Sequence, residues 1–183
     1  MAAPWLARRE AVEAILSQYP HKRSAVMPLL RLAQESRGYL ETEDLQAVGE
    51  LVGLTVAEVE SVASFYSLFY RQPVGRYVLT VCGNLSCALA GARRLADHLC
   101  RRLGVRSGQT TADGLFTLQV TPECLAGCDQ APVVQVNGYY LHRVTPQRAD
   151  RVLEALRQGV PIPELADRAE LPHAESVADR EGD

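Results

Sequence analysis

Four of the five cysteines in this 183-residue chain fall into two short pairs. Cys82 and Cys87 stand in VCGNLSC, and Cys124 and Cys128 in PECLAGCDQAP, a C-x4-C and a C-x3-C with 36 residues between them. Thiols so spaced suit a disulfide, a zinc site or an iron–sulfur site, whereas a thioredoxin-type redox centre wants C-x-x-C, which is absent. A [2Fe-2S] cluster needs four thiolates, two on each iron, so two short loops that each give a pair make a natural cradle. Structural zinc also takes four cysteines with two to four residues between paired ligands, so spacing alone leaves the two metals level. Gly83, Ser86, Ala126 and Gly127 are small enough for backbone N–H groups to approach the sulfurs. The aliphatic Leu85, Leu125, Ala131 and Pro132 are expected to keep water partly out.

The disulfide reading is the weakest. Arg8, Arg9 and Glu10 interrupt the N-terminal segment, so it lacks the apolar core of a secretory signal, and no run approaches the ~18 apolar residues of a membrane helix. A cytosolic chain, or one peripheral to something larger, is expected, and there five cysteines are better metal ligands than disulfide partners. The formal net charge of −3 and pI near 5.8 give no support for nucleic-acid binding. The charge is uneven: residues 161–183 carry seven acids against Arg168 and Arg180, a net of −5, which leaves the first 160 residues at +2. That proline-containing tail is expected to run over the surface or to be partly disordered. Cys100 reads as a small buried core residue, and His21, His98, His142 and His173 show no ligand spacing.

The elements that must position the cysteines follow from periodicity. Residues 6–18 read as a first helix, followed by SAVMPLLRLAQESRG with Ser24 as its N-cap and Gly38 at its end. TEDLQAVGELVG opens at Thr42, and Thr55 with Glu58 forms a capping box ahead of VAEVESVASFYSLFY. The aromatic SFYSLFY, residues 64–70, is expected in the core of this helical part rather than on a binding surface. The Pro/Gly-containing RQPVGR, residues 71–76, marks a domain boundary. Beyond it, strands are expected at 77–81 and 116–120, an amphipathic helix over 87–103, a hairpin around Asn137-Gly138, and a last helix from Thr145-Pro146. GVRSGQTTADGLF is a loop with no phosphate-binding spacing. Each cysteine pair leaves a strand, so four thiolates can converge at one end of the sheet. The division is residues 1–72, residues 73–160 and the acidic tail 161–183, an α+β chain.

Four longer stretches carry a resemblance: YPHKRSAVMPLLRLAQESRGYL, VASFYSLFYRQPVGRYVLTVCGNLSCALAGA, DGLFTLQVTPECLAGC and APVVQVNGYYLHRVTP. Over about residues 15–158 the chain resembles the small [2Fe-2S] subunit of bacterial-type NADH:quinone oxidoreductase (complex I). The same subunit type occurs in NAD-linked hydrogenases and formate dehydrogenases. The resemblance implies an N-terminal helical bundle followed by a thioredoxin-like [2Fe-2S] ferredoxin domain. It further implies that Cys82, Cys87, Cys124 and Cys128 hold one [2Fe-2S] cluster, which exchanges single electrons with the FMN of a partner subunit. That flavoprotein partner would bind FMN and NADH; an adjacent iron–sulfur subunit is the second expected partner, and no substrate site or catalytic residue is expected on this chain. The implied location is the cytoplasmic face of the membrane, through the complex and without insertion. An alternative of another class is a zinc-stabilised four-cysteine interaction module. One departure stands out: the family usually reads C-L-G-x-C in the second loop, whereas Ala126 holds the glycine place here and Gly127 follows. If that place needs positive φ, alanine costs about 1 kcal/mol or more unless the turn shifts by one residue.

Overall fold

The computed structural model describes residues 3–167, so most of the expected acidic tail, with His173, lies outside the described residues. The described residues form two compact units, one of residues up to Tyr77 with Thr110–Thr117, the other of Val78–Gln109 with residues 118–167.

Four helices build the first unit: α1 (Arg9–Ser17), α2 (Val26–Arg37), α3 (Thr42–Val52) and α4 (Val56–Phe65). Their apolar faces bury Trp5, Leu29, Leu30, Leu40, Leu45, Val48 and Val59 in one core. Gly38 and Gly53 end α2 and α3 at φ 87° and 75°, as expected. The Thr55–Glu58 box is made in both directions, with Glu58 N–H donating to Thr55 Oγ1 and Thr55 N–H to Glu58 Oε2. Ser24 does not cap α2; it sits inside a 3-10 turn, Lys22–Ala25, that leads into the helix. Buried Asp44 has three partners: Trp5 Nε1–H donates to it at 3.0 Å, the Glu41 amide at 2.9 Å, and the Arg37 guanidinium lies at 3.5 Å.

SFYSLFY departs from expectation. Helix α4 stops at Phe65, so helical spacing no longer applies beyond it; Phe65 is 78% exposed, Tyr66 and Leu68 are also exposed, and of the run only Phe69 reaches the core. The chain is folded back there by Gln34, whose amide donates to Leu68 C=O and accepts from Tyr70 N–H.

A five-stranded sheet has the order β2-β3-β1-β4-β5, with β1 (Tyr77–Cys82), β2 (Gln109–Thr110), β3 (Phe116–Thr121), β4 (Val134–Val136) and β5 (Tyr139–Leu141). Strand β4 is antiparallel to β1, with Val81 opposite Val134, and to β5 through the Asn137-Gly138 turn, whose φ values are 48° and 88°. Positive φ at both turn residues is the conformation that Asn-Gly favours. The short edge strand β2 lies in the stretch expected to be loop; two residues are too few for a period-2 pattern to show.

The expected helix over 87–103 is two helices, α5 (Leu85–Leu89) and α6 (Ala92–Leu103), because Gly91 at φ 97° breaks the run. Helix α6 buries Ala92, Leu95, Ala96 and Leu99 and packs beside α7 (Pro146–Arg157), where His98 and Arg102 both reach Asp150. Cys100, one step round the helix from Leu99, is half-buried rather than in the core. Thr145 caps α7 and Pro146 begins it, as expected. The start of the tail is not free chain: Ile162–Leu165 forms a short helix, α8, against β5.

Candidate functional site

Strand β1 ends at Cys82 and β3 at Thr121, and the two ends lie side by side, with Gly83 N–H donating to Thr121 C=O at 2.7 Å. Both cysteine loops therefore start from the same end of the sheet. Asn84 ties them together: its side-chain amide donates to Pro122 C=O, while its oxygen accepts from Leu85 N–H and caps α5. Cys87 is thus the third residue of a capped helical turn, not its first. Gly83 must be small, because a Cβ there would stand 3.0 Å from Thr121 O.

Cys82 and Cys87 are buried, at 1% and 2% exposure, whereas Cys124 and Cys128 are exposed. The four thiols nevertheless form one neighbourhood. Cys82 and Cys87 interact with one another, Cys128 lies within electrostatic reach of both, and the Cys124 and Cys128 sulfurs are 3.2 Å apart. Among the described residues, no three His, Cys, Asp or Glu side chains converge on a single ion. The thiols are arranged as two pairs, which is the donor set two iron atoms with two thiolates each require.

Donors aimed at sulfur complete the set. Ala126 N–H points at Cys124 Sγ at 3.4 Å, Val133 N–H at Cys87, and the Ser86 hydroxyl at Cys128. Burial pushes the Cys87 thiol up to about 11. Hydrogen bonding from Cys128, then from Ala126 N–H, draws Cys124 down, and the same sulfur pair pushes Cys128 up, so Cys124 is the one of that pair that ionises more readily. Electron-rich sulfur with donors directed at it fits a cluster whose charge must be offset. Ser86 was legible as a small loop residue; Val133 carried no sequence signal, since its role is made by the backbone.

The displaced glycine has a definite outcome. Ala126 adopts φ 60°, and Gly127, at φ −109°, does not. The turn has not shifted by a residue; alanine holds the left-handed place. Gly127 serves closeness instead, since a Cβ there would stand 3.0 Å from Val133 Cγ2 and 3.3 Å from the His142 ring. The expected water shield is only partial. With Cys87 turned inward, residues two places to either side in α5 face outward, so Leu85 and Leu89 are 71% and 82% exposed. Leu125, Ala131 and Pro132 are half-buried. His21 is exposed, His98 pairs with Asp150, and His142, whose ring lies against Gly127, pairs with Asp167.

Comparison with known proteins identifies the family. The sequence profile of the thioredoxin-like [2Fe-2S] ferredoxins matches residues 12–157. An NADH-quinone oxidoreductase subunit of Rhizobium meliloti is 44% identical over 149 residues, 81% of this chain and 88% of that one. An NADH-quinone oxidoreductase subunit of Thermus thermophilus is 43% identical over 161 residues, 86% of this chain and 88% of the relative. Among solved structures, an NAD+-reducing [NiFe]-hydrogenase in the air-oxidized state matches with a TM-score of 0.64 and 29% identity over 74% of this chain, which spans only 24% of that longer one. From the paired thiols at one sheet end to the profile that covers both loops, the chain belongs to the thioredoxin-like [2Fe-2S] ferredoxin family.

Proposed function

We propose that the chain is the small electron-transfer subunit of an NADH-oxidising assembly of the NADH-quinone oxidoreductase type. In this reading Cys82, Cys87, Cys124 and Cys128 hold one [2Fe-2S] cluster, and FMN and NADH belong to a partner flavoprotein subunit. The observation that carries it is the gathering of both cysteine pairs, with N–H and O–H donors on their sulfurs, in a chain of this family. A bound [2Fe-2S] cluster supplies one-electron exchange. The chain's own residues divide the remaining work. Cys82 and Cys87 anchor the site from the buried side, and the exposed Cys124 and Cys128 give the edge a partner can approach. Leu85 and Leu89, beside that edge, offer apolar surface for a protein contact.

In the same reading its partners hold the chain at the cytoplasmic face of the membrane; no described helix is long and apolar enough to cross it. A second reading, the equivalent subunit of an NAD-linked hydrogenase, draws on the 29% identity to the hydrogenase chain. Metal analysis with EPR after reduction tests the cluster assignment. One [2Fe-2S] signal per chain is expected, retained in Cys100→Ser; stoichiometric zinc in a colourless protein overturns it. Co-purification with a flavoprotein carrying FMN tests the assembly.

A further inference from the structure

Three polar side chains behind the second cysteine loop, His142, Arg148 and Asp167, have no role in the reading above. The segment His142–Val144 runs along the chain that leaves that loop, as a splint. Arg143 N–H donates to Gln130 C=O at 2.7 Å and Val144 N–H to Pro132 C=O at 2.9 Å. The His142 ring lies so close to Gly127 that a Cβ there would stand 3.3 Å from it.

The splint is itself held from outside. Asp167 Oδ2 accepts from His142 N–H at 2.6 Å, and Asp167 N–H donates to Tyr140 C=O at 3.0 Å. Arg148 donates to Asp167 Oδ1 at 2.7 Å through Nη2 and to His142 C=O through Nη1. Burial acts to raise the Asp167 carboxyl, but the Arg148 guanidinium and the His142 amide outweigh it and hold the carboxyl below its ordinary range. The clamp is therefore charged at neutral pH.

The loop it braces needs bracing. Ala126 sits at φ 60°, a region that an L side chain keeps only when its surroundings over-determine it. A cavity of about 490 Å³, lined by Ala126, Gly127, His142 and Asp167 among others, leaves open space on one side of the turn. Packing around the turn is therefore incomplete, and the hydrogen-bonded segment that shares the cavity wall is what remains to brace it.

We propose that Asp167 and Arg148 are positioning residues for the Cys124–Cys128 loop, keeping Ala126 in the left-handed conformation that aims its N–H at the Cys124 sulfur. The inference rests on the [2Fe-2S] reading. An N–H dipole directed at a ligand sulfur favours the more negative, reduced cluster, so slackening the clamp lowers the midpoint potential.

An EPR-monitored redox titration of the full chain tests this, comparing the parent with Asp167→Ala, with Asp167→Ala combined with Ala126→Gly, and with Asp44→Ala as a destabilised control from the other unit. The expected result is one cluster per chain throughout, with a fall in potential and a broadened signal in Asp167→Ala. Glycine takes the left-handed conformation without strain, so adding Ala126→Gly restores both, while Asp44→Ala moves neither. An unmoved potential in Asp167→Ala, or a fall that Ala126→Gly does not recover, overturns the positioning role. Absence of any cluster from the parent instead sinks the functional reading and the inference with it. If Asp167→Ala does not fold, Arg148→Lys, which keeps the charge but not both hydrogen bonds, is expected to give a smaller fall in the same direction; no fall overturns the proposal.

Discussion

The two cysteine loops hold their sulfurs by opposite means. The first turns both sulfurs inward, is fixed by the end of β1, by the Asn84 cap and by a helical turn, and contains no residue at positive φ. The second is exposed, contains a left-handed alanine, and depends on hydrogen bonds from a neighbouring segment. Regular structure thus makes one half of the site, and irregular backbone under local strain the other. The rigid half suits anchoring, and the exposed half suits contact with a partner.

Removing ligands should separate the halves most strongly. Cys82→Ser and Cys87→Ser are expected to abolish visible absorption, because a buried site leaves no room for water or a moved side chain to replace the lost thiolate. Cys124→Ser and Cys128→Ser, at the exposed edge, are expected to keep a fraction of the cluster with an altered EPR spectrum. The reverse order, with full loss only at the exposed pair, would break the comparison.

The glycines give the next largest effect. A Cβ on Gly83 meets a backbone oxygen, whereas on Gly127 it meets the side chains of Val133 and His142. Backbone inside a sheet cannot give way as side chains can, so Gly83→Ala is expected to cost about 2–3 kcal/mol and Gly127→Ala about 1 kcal/mol. At roughly 2–4 °C per kcal/mol for a chain of this size, thermal unfolding resolves the two. Equal losses would mean that the loops are equally rigid.

This difference also governs what could be read from the sequence. Regular features were legible: the Thr55–Glu58 box, the Asn137-Gly138 hairpin, Pro146 at a helix start and two cysteine pairs leaving strands each carry a local pattern. Features fixed by tertiary contact were not. Gly91 breaking the helix after Cys87, the exposed Phe65 and Tyr66 beyond the end of α4, and Val133 N–H on Cys87 depend on neighbours distant in sequence. Ala126 lies between these cases. Its departure from the family pattern was visible, but only the structure decides whether the strain is kept or avoided.

Acid should slacken the second half before the first. The folded Asp167 carboxyl is depressed, so its contribution is complete above the ordinary aspartate pKa of about 4 and is lost as pH falls through the lower folded value. The His142 amide resonance, followed by NMR from neutral to acid pH, is expected to move with a midpoint below about 4 and to report loosening of the splint. A midpoint at or above that value would show that Arg148 does not hold the carboxylate.

The smallest effect is the most specific. A left-handed alanine costs about 1–2 kcal/mol in the folded state, while glycine costs about 0.4–1 kcal/mol through the freedom it gives the unfolded chain. The difference leaves Ala126→Gly more stable by about 0.5 kcal/mol, or roughly 1–2 °C in thermal midpoint. The gain exists only because φ at 126 is positive, with Gly127 in an ordinary conformation. Had the turn shifted to place Gly127 there, the same substitution would destabilise by adding unfolded-state entropy alone. The sign of the change therefore reports the conformation of the second loop, and no corresponding stabilisation is open to the first, where no alanine or other side chain is held in that region.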